Sequence, residues 1–330
     1  MYETLAFALG LEVGPRAASA WFGLMLGRAF GVLAFLTRFC LRRALVGAPE
    51  ERPQARGVWA LAFAVALVGT QTAVAAGWIG FGDHRFHAAS LPVLGLAAGG
   101  LLFGVGTVLA RGCITRLTVL TGGGNLRALT GLFVFAVAAH ATLQGVLAPV
   151  RTGLGAISIE LGAASLGDLP GGAWAWTAAL TAAATLVAVR SGAGQGRLLG
   201  AAILGALVPV GWVATGFILH DDFDPIAFES LSFTAPWADT LFWSVASTLQ
   251  PPGFGVGLIG GVLAGAMAAA LLSRRFFWEG FESPAQMGRT LSGAAMMGVG
   301  AVMAGGCTVG SGLSGIPTLS IAALLALGSI

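Results

Sequence analysis

The feature that most constrains this chain is a series of apolar runs, each about 20 residues long, separated by short polar loops. A run of this length crosses the hydrocarbon core of a bilayer as a helix. Only 9% of the 330 residues are charged, against about a quarter in soluble domains, so the chain cannot cover a water-facing surface. Long strand-like alternation is absent. The sequence therefore predicts an all-α integral membrane protein, a helical bundle with about nine spanning helices plus short broken or re-entrant helices.

The predicted spans follow the apolar runs along the chain. They are Ala18–Phe39, Gly57–Phe81, Leu91–Ala110, Ala128–Val150, Ala173–Val189, Leu198–His220, Gly253–Leu272 and Thr290–Ala304, with a shorter one from Leu319 to the end. Trp237–Leu249 is amphipathic and predicts a short or interfacial helix. Met1–Leu11 has no basic residue and no clean cleavage site, so no classical signal peptide is expected.

Charged residues in the loops orient the predicted bundle, because basic loops tend to stay in the cytoplasm. The arginine-rich loops contain Arg38, Arg42, Arg43, Arg52 and Arg56, then Arg190 and Arg197, then Arg274, Arg275 and Arg289. The acidic loops, expected outside, contain Asp83, Glu160, Asp168 and the run Asp221, Asp222 and Asp224. This alternation predicts a multi-pass membrane protein with the arginine-rich loops in the cytoplasm.

A glycine–cysteine pattern occurs twice, ending at Gly112-Cys113 and at Gly306-Cys307, and the constant offset is 307 − 113 = 194. The chain has only three cysteines, so two of them in one pattern favour an internal repeat. Threading the spans between the charged loops gives the two copies opposite topology. The sequence thus predicts a single transmembrane transport domain, 1–330, built from two inverted pseudo-symmetric halves, about 18–150 and 198–330, joined by 151–197.

Each Gly-Cys pair is followed by a run rich in Gly, Ser and Thr, which breaks helices. Thr115, Arg116 and Asn125 follow the first pair, and Thr308 and Ser311 follow the second. Broken backbone at membrane depth is tolerated where it is buried in protein or lines a cavity, and helix N-termini attract anions. These residues therefore predict an anion site, and close helix packing through small residues is the alternative.

Other patterns in the sequence carry less chemistry. The loop Asp83-His84-Arg85-Phe86-His87 is interpreted as a solvated external loop, and no metal site is expected. No nucleotide motif sits in a suitable context, so no cofactor is expected. Cys40 lies outside the two blocks, and its repeat equivalent is Thr234. A lone membrane cysteine is usually a small core hydrophobe.

The two Gly-Cys blocks resemble those of the YeeE/YedE family, which includes bacterial thiosulfate permeases. The stretches Leu102-Phe103-Gly104-Val105-Gly106, Gly124-Asn125-Leu126, Phe277-Trp278-Glu279-Gly280-Phe281-Glu282-Ser283-Pro284 and Gly310-Ser311-Gly312-Leu313-Ser314-Gly315 are also similar to that family. The resemblance extends from about Trp21 to the end. It implies an hourglass-shaped bundle in which thiosulfate passes along Cys40, Cys113 and Cys307. Arg111 departs from the pattern, because the second block has Gly305 there, and a basic residue could alter substrate preference.

The sequence and the resemblance together predict a transporter, not an enzyme, that imports thiosulfate through a pathway of cysteine thiols and helix-end N–H groups. The alternatives are a transporter of another sulfur or selenium compound and, less favoured, a membrane sulfurtransferase or redox protein. The expected partners are thiosulfate or a related sulfur anion and the lipid bilayer, with no nucleic acid. A small cytoplasmic sulfurtransferase that collects the cargo is a further candidate partner.

Overall fold

The computed structural model describes residues 14–88, 90–160, 162–221 and 224–330, and most of these residues are helical. The helices are α1 Pro15–Thr37, α2 Leu41–Val46, α3 Arg52–Ala75, α4 Val93–Leu109, α5 Ile114–Gly122, α6 Leu126–Leu143, α7 Ala148–Gly155, α8 Gly172–Val189, α9 Gln195–Val213, α10 Thr234–Val245, α11 Phe254–Leu272, α12 Pro284–Met303 and α13 Ile321–Ser329. Ala214–Ile218 and Thr308–Gly315 are π-helical, and Arg85–His87, Leu166–Asp168 and Ile316–Thr318 are 3₁₀ turns. A short β1, Ser90–Leu91, pairs antiparallel with β2, Ile159–Glu160.

Eight helical segments of the described chain are long and apolar enough to cross a membrane, which confirms the predicted helical membrane bundle. They are Pro15–Val46, Arg52–Ala75, Val93–Gly122, Leu126–Leu143, Gly172–Val189, Gln195–Ile218, Phe254–Leu272 and Pro284–Thr318. The ninth segment forms α13, whose 9 residues reach about 14 Å, roughly half of the hydrocarbon core. The amphipathic segment forms α10, a helix of 12 residues. Met1–Leu11 and Asp222 lie outside the described residues.

The closest helix pair, α1 and α11, packs through glycines on both sides. A Cβ added at Gly27 would strike the carbonyl of Leu258, and one added at Gly261 would strike the carbonyl of Leu24. The contacts advance along both chains together, because Gly31 meets Val262, so the two helices run parallel. Small residues let the two backbones approach closely, where packing rather than hydrophobicity drives helix association in lipid.

The helices α4 and α12, which occupy equivalent places in the predicted repeat, run antiparallel. Gly99 lies against Met303 and Ala304, whereas Gly106 lies against Gly293 at the other end of α12. Opposite direction is what an inverted repeat requires of two equivalent helices. The assignment of the two halves, and of segment 151–197 as their link, stays a prediction.

Helix α8, within that linking segment, lies at the edge of the bundle. Only 11% of its span is buried, whereas the last span is 72% buried. Its contact with α3 is a small alanine cluster made by Ala60, Ala64 and Ala184. The functional chemistry is therefore expected in the broken segments of the other spans rather than on this peripheral helix.

Candidate functional site

All three cysteines follow the same kind of helix break. In each case a spanning helix ends, the residue two positions before the cysteine adopts a left-handed conformation, and the cysteine begins the next helical segment. The left-handed residues are Arg38, Arg111 and Gly305, with φ of 54°, 58° and 71°. This conformation reverses the chain direction within a few residues, and it is most easily adopted by glycine. The break therefore places each cysteine at a junction between two helices.

The hydrogen bonds of the three breaks also coincide. The N–H immediately before each cysteine donates to a carbonyl five residues further back: Phe39 to Ala34 at 3.1 Å, Gly112 to Thr107 at 3.1 Å and Gly306 to Ala301 at 2.9 Å. This is the Schellman pattern that satisfies the last carbonyls of a helix. In the sequence, Cys40 stands apart from the two Gly-Cys blocks because no glycine precedes it. An arginine two residues earlier, Arg38 before Cys40 and Arg111 before Cys113, is the sequence feature that links these two cysteines.

Each thiol is held over the start of the helix that follows it. The Cys307 Sγ accepts a hydrogen bond from the Gly310 N–H at 3.4 Å. Cys40 and Cys113 occupy the same N-cap position before α2 and α5, near the backbone of Arg43 and Arg116, but their thiols make no capping hydrogen bond. All three thiols therefore lie at the start of a helix, and at Cys307 a hydrogen bond from the backbone fixes the orientation of the thiol.

The thiols of Cys40 and Cys113 lie beside each other, close enough to interact. The Thr308 side chain also lies close to the Cys113 thiol, and Thr308 directly follows Cys307. Cys113 is 3% exposed and Cys307 is fully buried, whereas Cys40 is half-buried. The structure thus places four of the predicted residues next to one another in the core. They are Cys40, Cys113, Thr308 and Cys307, and this series of neighbouring side chains is here called the row.

Three hydroxyl groups near this row are buried and have no hydrogen-bond partner among the described residues. They belong to Thr115, Ser311 and Thr234, which are 3%, 0% and 6% exposed. Buried polar groups are nearly always satisfied, so each such group needs an explanation. Thr115 and Ser311 were predicted as site residues. Thr234, which replaces the thiol in the repeat, joins them on this structural ground.

The glycines before the two central cysteines leave room for side chains to lie on the backbone. A Cβ added at Gly306 would collide with the Ser311 hydroxyl, and one at Gly112 would lie 3.3 Å from the Cγ of Arg116. Asn125 has a different position, because its Oδ1 accepts from the Ala128 N–H at 2.7 Å and caps α6. Its Nδ2 donates to Glu279 at 2.6 Å, so Asn125 ties together the segments that follow α5 and α11.

A cavity of about 430 Å³, here called the arginine cavity, lies next to one end of the row. It is lined by Phe35, Arg38, Arg43, Glu51, Arg116, Leu120, Gly123, Asn125, Arg275, Phe277 and Glu279. The charge of Arg116 acts on both Cys40 and Cys113. Arg43 donates to Glu51 at 2.8 Å, and this bond, with help from Arg38, lowers the pKa of the Glu51 carboxyl. Four arginines against two glutamates make this cavity favourable for an anion.

A second cavity, of about 950 Å³ and here called the wide cavity, lies at the other end. Gly77 and Trp78 at the C-terminal end of α3 line it, whereas the arginine cavity lies beside the N-terminal end of that helix. Helix α3 has 24 residues and is therefore about 36 Å long. Gly310 and Ser314 of the π-helix also line the wide cavity, next to Cys307. The row of cysteines therefore lies between two cavities at opposite ends of a spanning helix.

The position of Arg111 explains its departure from the family pattern. Its side chain is exposed, and it lines neither of these two cavities. Its backbone occupies the left-handed position that Arg38 occupies before Cys40 and Gly305 before Cys307. The residue therefore serves the helix break through its backbone, and its charge does not face the row.

The chain is similar to known proteins over most of its length. A family model described as sulphur transport matches residues 36–330. The chain is 27% identical over 320 residues to the thiosulfate transporter TsuA of Escherichia coli (strain K12), covering 88% of this chain and 86% of that protein. It is 24% identical over 338 residues to the thiosulfate transporter TsuA of Spirochaeta thermophila, covering 93% and 94%. The resemblance predicted from the Gly-Cys blocks is confirmed, and the chain belongs to the sulphur transport (YeeE/YedE) family of membrane transporters.

Proposed function

We propose that the protein imports thiosulfate, which enters from the wide cavity, passes Cys307, Cys113 and Cys40 in turn, and leaves through the arginine cavity. The observation that carries this proposal is the contact sequence of thiol, thiol and hydroxyl, made by Cys40, Cys113 and Thr308, between two cavities at opposite ends of α3. The printed names of the two relatives support thiosulfate as the cargo. The arginine-rich loops support a cytoplasmic position for the arginine cavity.

The proposed pathway suits the chemistry of thiosulfate, a dianion with one soft terminal sulfur. A neutral thiol is a weak hydrogen-bond donor, so it holds that sulfur without the strong grip of a charged group. Transport requires binding that is favourable enough to admit the ion and weak enough to release it. A row of weak donors meets both conditions, because no single position becomes a deep trap.

The oxygen atoms of thiosulfate need donors beside the thiols. The unpaired hydroxyls of Thr115, Ser311 and Thr234 supply them, and each is buried without a partner among the described residues. An unsatisfied buried hydroxyl costs about 1–3 kcal/mol, which a bound oxyanion recovers. These hydroxyls favour an oxyanion over an apolar sulfur compound as the cargo.

Uptake of radiolabelled thiosulfate into right-side-out membrane vesicles tests the proposal. Vesicles that contain the protein should accumulate label, and unlabelled thiosulfate should compete more strongly than sulfate or sulfite. Stronger competition by sulfite or a selenium analogue would move the assignment to another sulfur or selenium compound. Vesicles hold no cytoplasmic enzyme, so accumulation would also exclude a requirement for a small cytoplasmic sulfurtransferase, which stays a candidate partner at the arginine cavity.

Cys40 is expected to matter less than the two central cysteines, because it is half-buried and neighbours the arginine cavity. Cys40→Ser keeps a donor for Cys113 and should retain clear uptake. Cys40→Ala removes one hydrogen bond, worth roughly 0.5–1.5 kcal/mol, so initial rates should fall by about two- to tenfold. The measurement is the initial uptake rate divided by the amount of inserted protein. Complete loss in Cys40→Ala beside an active Cys113→Ala would contradict the assignment of the central site.

A further inference from the structure

The wide cavity contains two opposite charges that are not paired. Arg85, an exposed residue of the loop between α3 and α4, lines this cavity and also a neighbouring one of about 330 Å³. Glu229 lines it from the segment between Ala214–Ile218 and α10. In the described parts of the chain, neither side chain makes an ion pair or a hydrogen bond, although the two charges act on each other at longer range. Two unpaired groups of opposite charge therefore face one cavity.

Arg85 is placed by a well-fixed turn. The His84 ring accepts a hydrogen bond from the Phe86 N–H at 3.3 Å, which caps the 3₁₀ turn Arg85–His87. The Phe86 carbonyl accepts from the Ser320 hydroxyl at 2.5 Å, which fastens the turn to the start of α13. The guanidinium lies 5.1 Å from the centre of the Phe86 ring. The cation is thus held in the cavity by its neighbours rather than by a carboxylate.

Glu229 is also held by its backbone. The Thr215 hydroxyl donates to the Glu229 carbonyl at 2.7 Å, and the next residue, Ser230, donates from its hydroxyl to the Val208 carbonyl at 2.7 Å. The Ser314 hydroxyl of the π-helix donates to the Leu231 carbonyl at 2.7 Å. The backbone of this segment is therefore fixed on both sides of Glu229, and its side chain reaches the wide cavity from a well-anchored position.

The ionisation of this glutamate is poised near neutral pH. Burial raises the pKa of the Glu229 carboxyl to about 7, the charge of Asp239 adds to the rise, and Arg85 opposes it. Burial lowers the pKa of His84 to about 4, so that ring stays uncharged over the physiological range. Arg85 therefore spends part of its time opposite a neutral acid and part opposite a carboxylate.

We propose that the wide cavity is a proton-linked binding subsite for a divalent oxyanion, in which Arg85 holds the anion and Glu229 takes up a proton as the anion binds. The proposal rests on the proposed function only in taking thiosulfate as that anion. Arginine presents a planar fork of donors that suits the oxygens of an oxyanion. Arg85 is also close enough for its charge to interact with Cys307, so the subsite leads to the first thiol of the row.

The sign of the linkage follows from charge. Below about pH 7, Glu229 is mostly neutral and no longer opposes the attraction of Arg85 for the anion. Above that pH, the carboxylate repels the dianion and weakens the pull of Arg85. Affinity should therefore fall as pH rises, and by reciprocity anion binding should draw a proton onto the carboxyl.

Other titratable or charged groups line the cavities that Glu229 lines, and they contribute to any pH effect. The wide cavity is lined by Asp83, His84, Arg85, His220 and Asp239, and a smaller cavity that shares Glu229 and Asp239 is lined by Arg16. Two more acidic residues, Asp221 and Asp224, lie in the same chain segment as Glu229. The test must therefore assign the titration to one residue.

Calorimetric titration of the purified full-length protein with thiosulfate provides that test. Between pH 6 and pH 8 the affinity of the wild-type protein should fall by up to about tenfold, the ratio of the protonated fractions of an acid of pKa near 7. Titrations near pH 7.5 in two buffers of different ionisation enthalpy should show uptake of up to about three-quarters of a proton per anion, the fraction of such an acid that is ionised at that pH. E229Q should bind with the high affinity at both pH values and take up no proton. R85Q should bind at least about tenfold more weakly at both, and R85K should lie between.

Asp83→Asn is the matched control, because it removes one negative charge from the same cavity and should keep the pH dependence. Persistence of proton uptake in E229Q, or its loss in D239N or in His220→Gln instead, would overturn the role of Glu229. Unchanged binding by R85Q would overturn the subsite. Absence of thiosulfate binding at every pH would instead remove the proposed function, so the two failures can be told apart.

Discussion

Replacing either Cys113 or Cys307 by alanine is expected to remove nearly all thiosulfate uptake, while the protein still folds and inserts. Both thiols are buried, at 3% and 0% exposure, so water cannot replace the lost contact. Each loss of about 1.4 kcal/mol of stabilisation slows the passing ion about tenfold, and the ion loses its donor at a buried part of the row. The cavity left by the sulfur should cost only about 1–2 kcal/mol of stability.

Initial uptake rates, divided by the amount of inserted protein, measure this effect. Val309→Ala is the matched control, because Val309 is 2% exposed, lies two residues from Cys307 and loses a similar volume without losing a thiol. That variant should transport nearly normally. Normal uptake by a well-expressed Cys307→Ala would show that this thiol serves packing alone.

The second large effect is expected on the fold itself, from one methyl group at Gly261. Its Cβ would strike the Leu24 carbonyl and lie 2.9 Å from the Arg28 nitrogen, both on the main chain of α1. Backbone cannot move aside as a side chain can, so α1 and α11 must separate. Overpacking of this kind costs about 1–3 kcal/mol.

The thermal unfolding midpoint of the purified protein in detergent measures this cost, and Gly261→Ala should lower it clearly. Gly260→Ala is the control in the same helix, because its Cβ would meet only the flexible Leu24 Cδ1 at 3.7 Å. Its intrinsic gain in helix propensity is the same, so the difference between the two variants isolates the helix contact. Equal midpoints would contradict the close parallel packing of α1 and α11.

The helical spans were the most predictable part of the fold, because each is a long apolar run. The length of an apolar run does not show where the helix breaks. For Thr308–Gly315, the glycines and serines predicted a break in the helix but not the π-helix that the segment forms. The ninth segment, α13, is apolar along its whole length, yet the preceding break leaves only 9 residues for it. Composition predicts burial in lipid, whereas the length of a helix depends on local backbone geometry.

The candidate site was predictable where a motif repeats and hidden where only geometry is shared. Cys113 and Cys307 were found through their glycines. Cys40 has the same helix break, but its left-handed residue is an arginine, and the sequence rules expect glycine there. Arg85 was interpreted as part of a solvated loop and Glu229 was not singled out, because no local pattern shows that two distant segments line one cavity.

The helix break that the three cysteines share has a consequence for the direction of transport. In the predicted second half the row has one thiol, Cys307, because threonine stands at position 234, the repeat equivalent of Cys40. None of the described residues just before Thr234 adopts the left-handed conformation either. The predicted first half has two thiols, which lie beside each other. The three thiols of the proposed route are therefore divided unequally between the two predicted halves, with one in the second half and two in the first. An ion that moves inward along this route would pass the single thiol first and the pair of thiols last. The inward and outward directions are therefore not equivalent, although the two predicted halves are related by pseudo-symmetry.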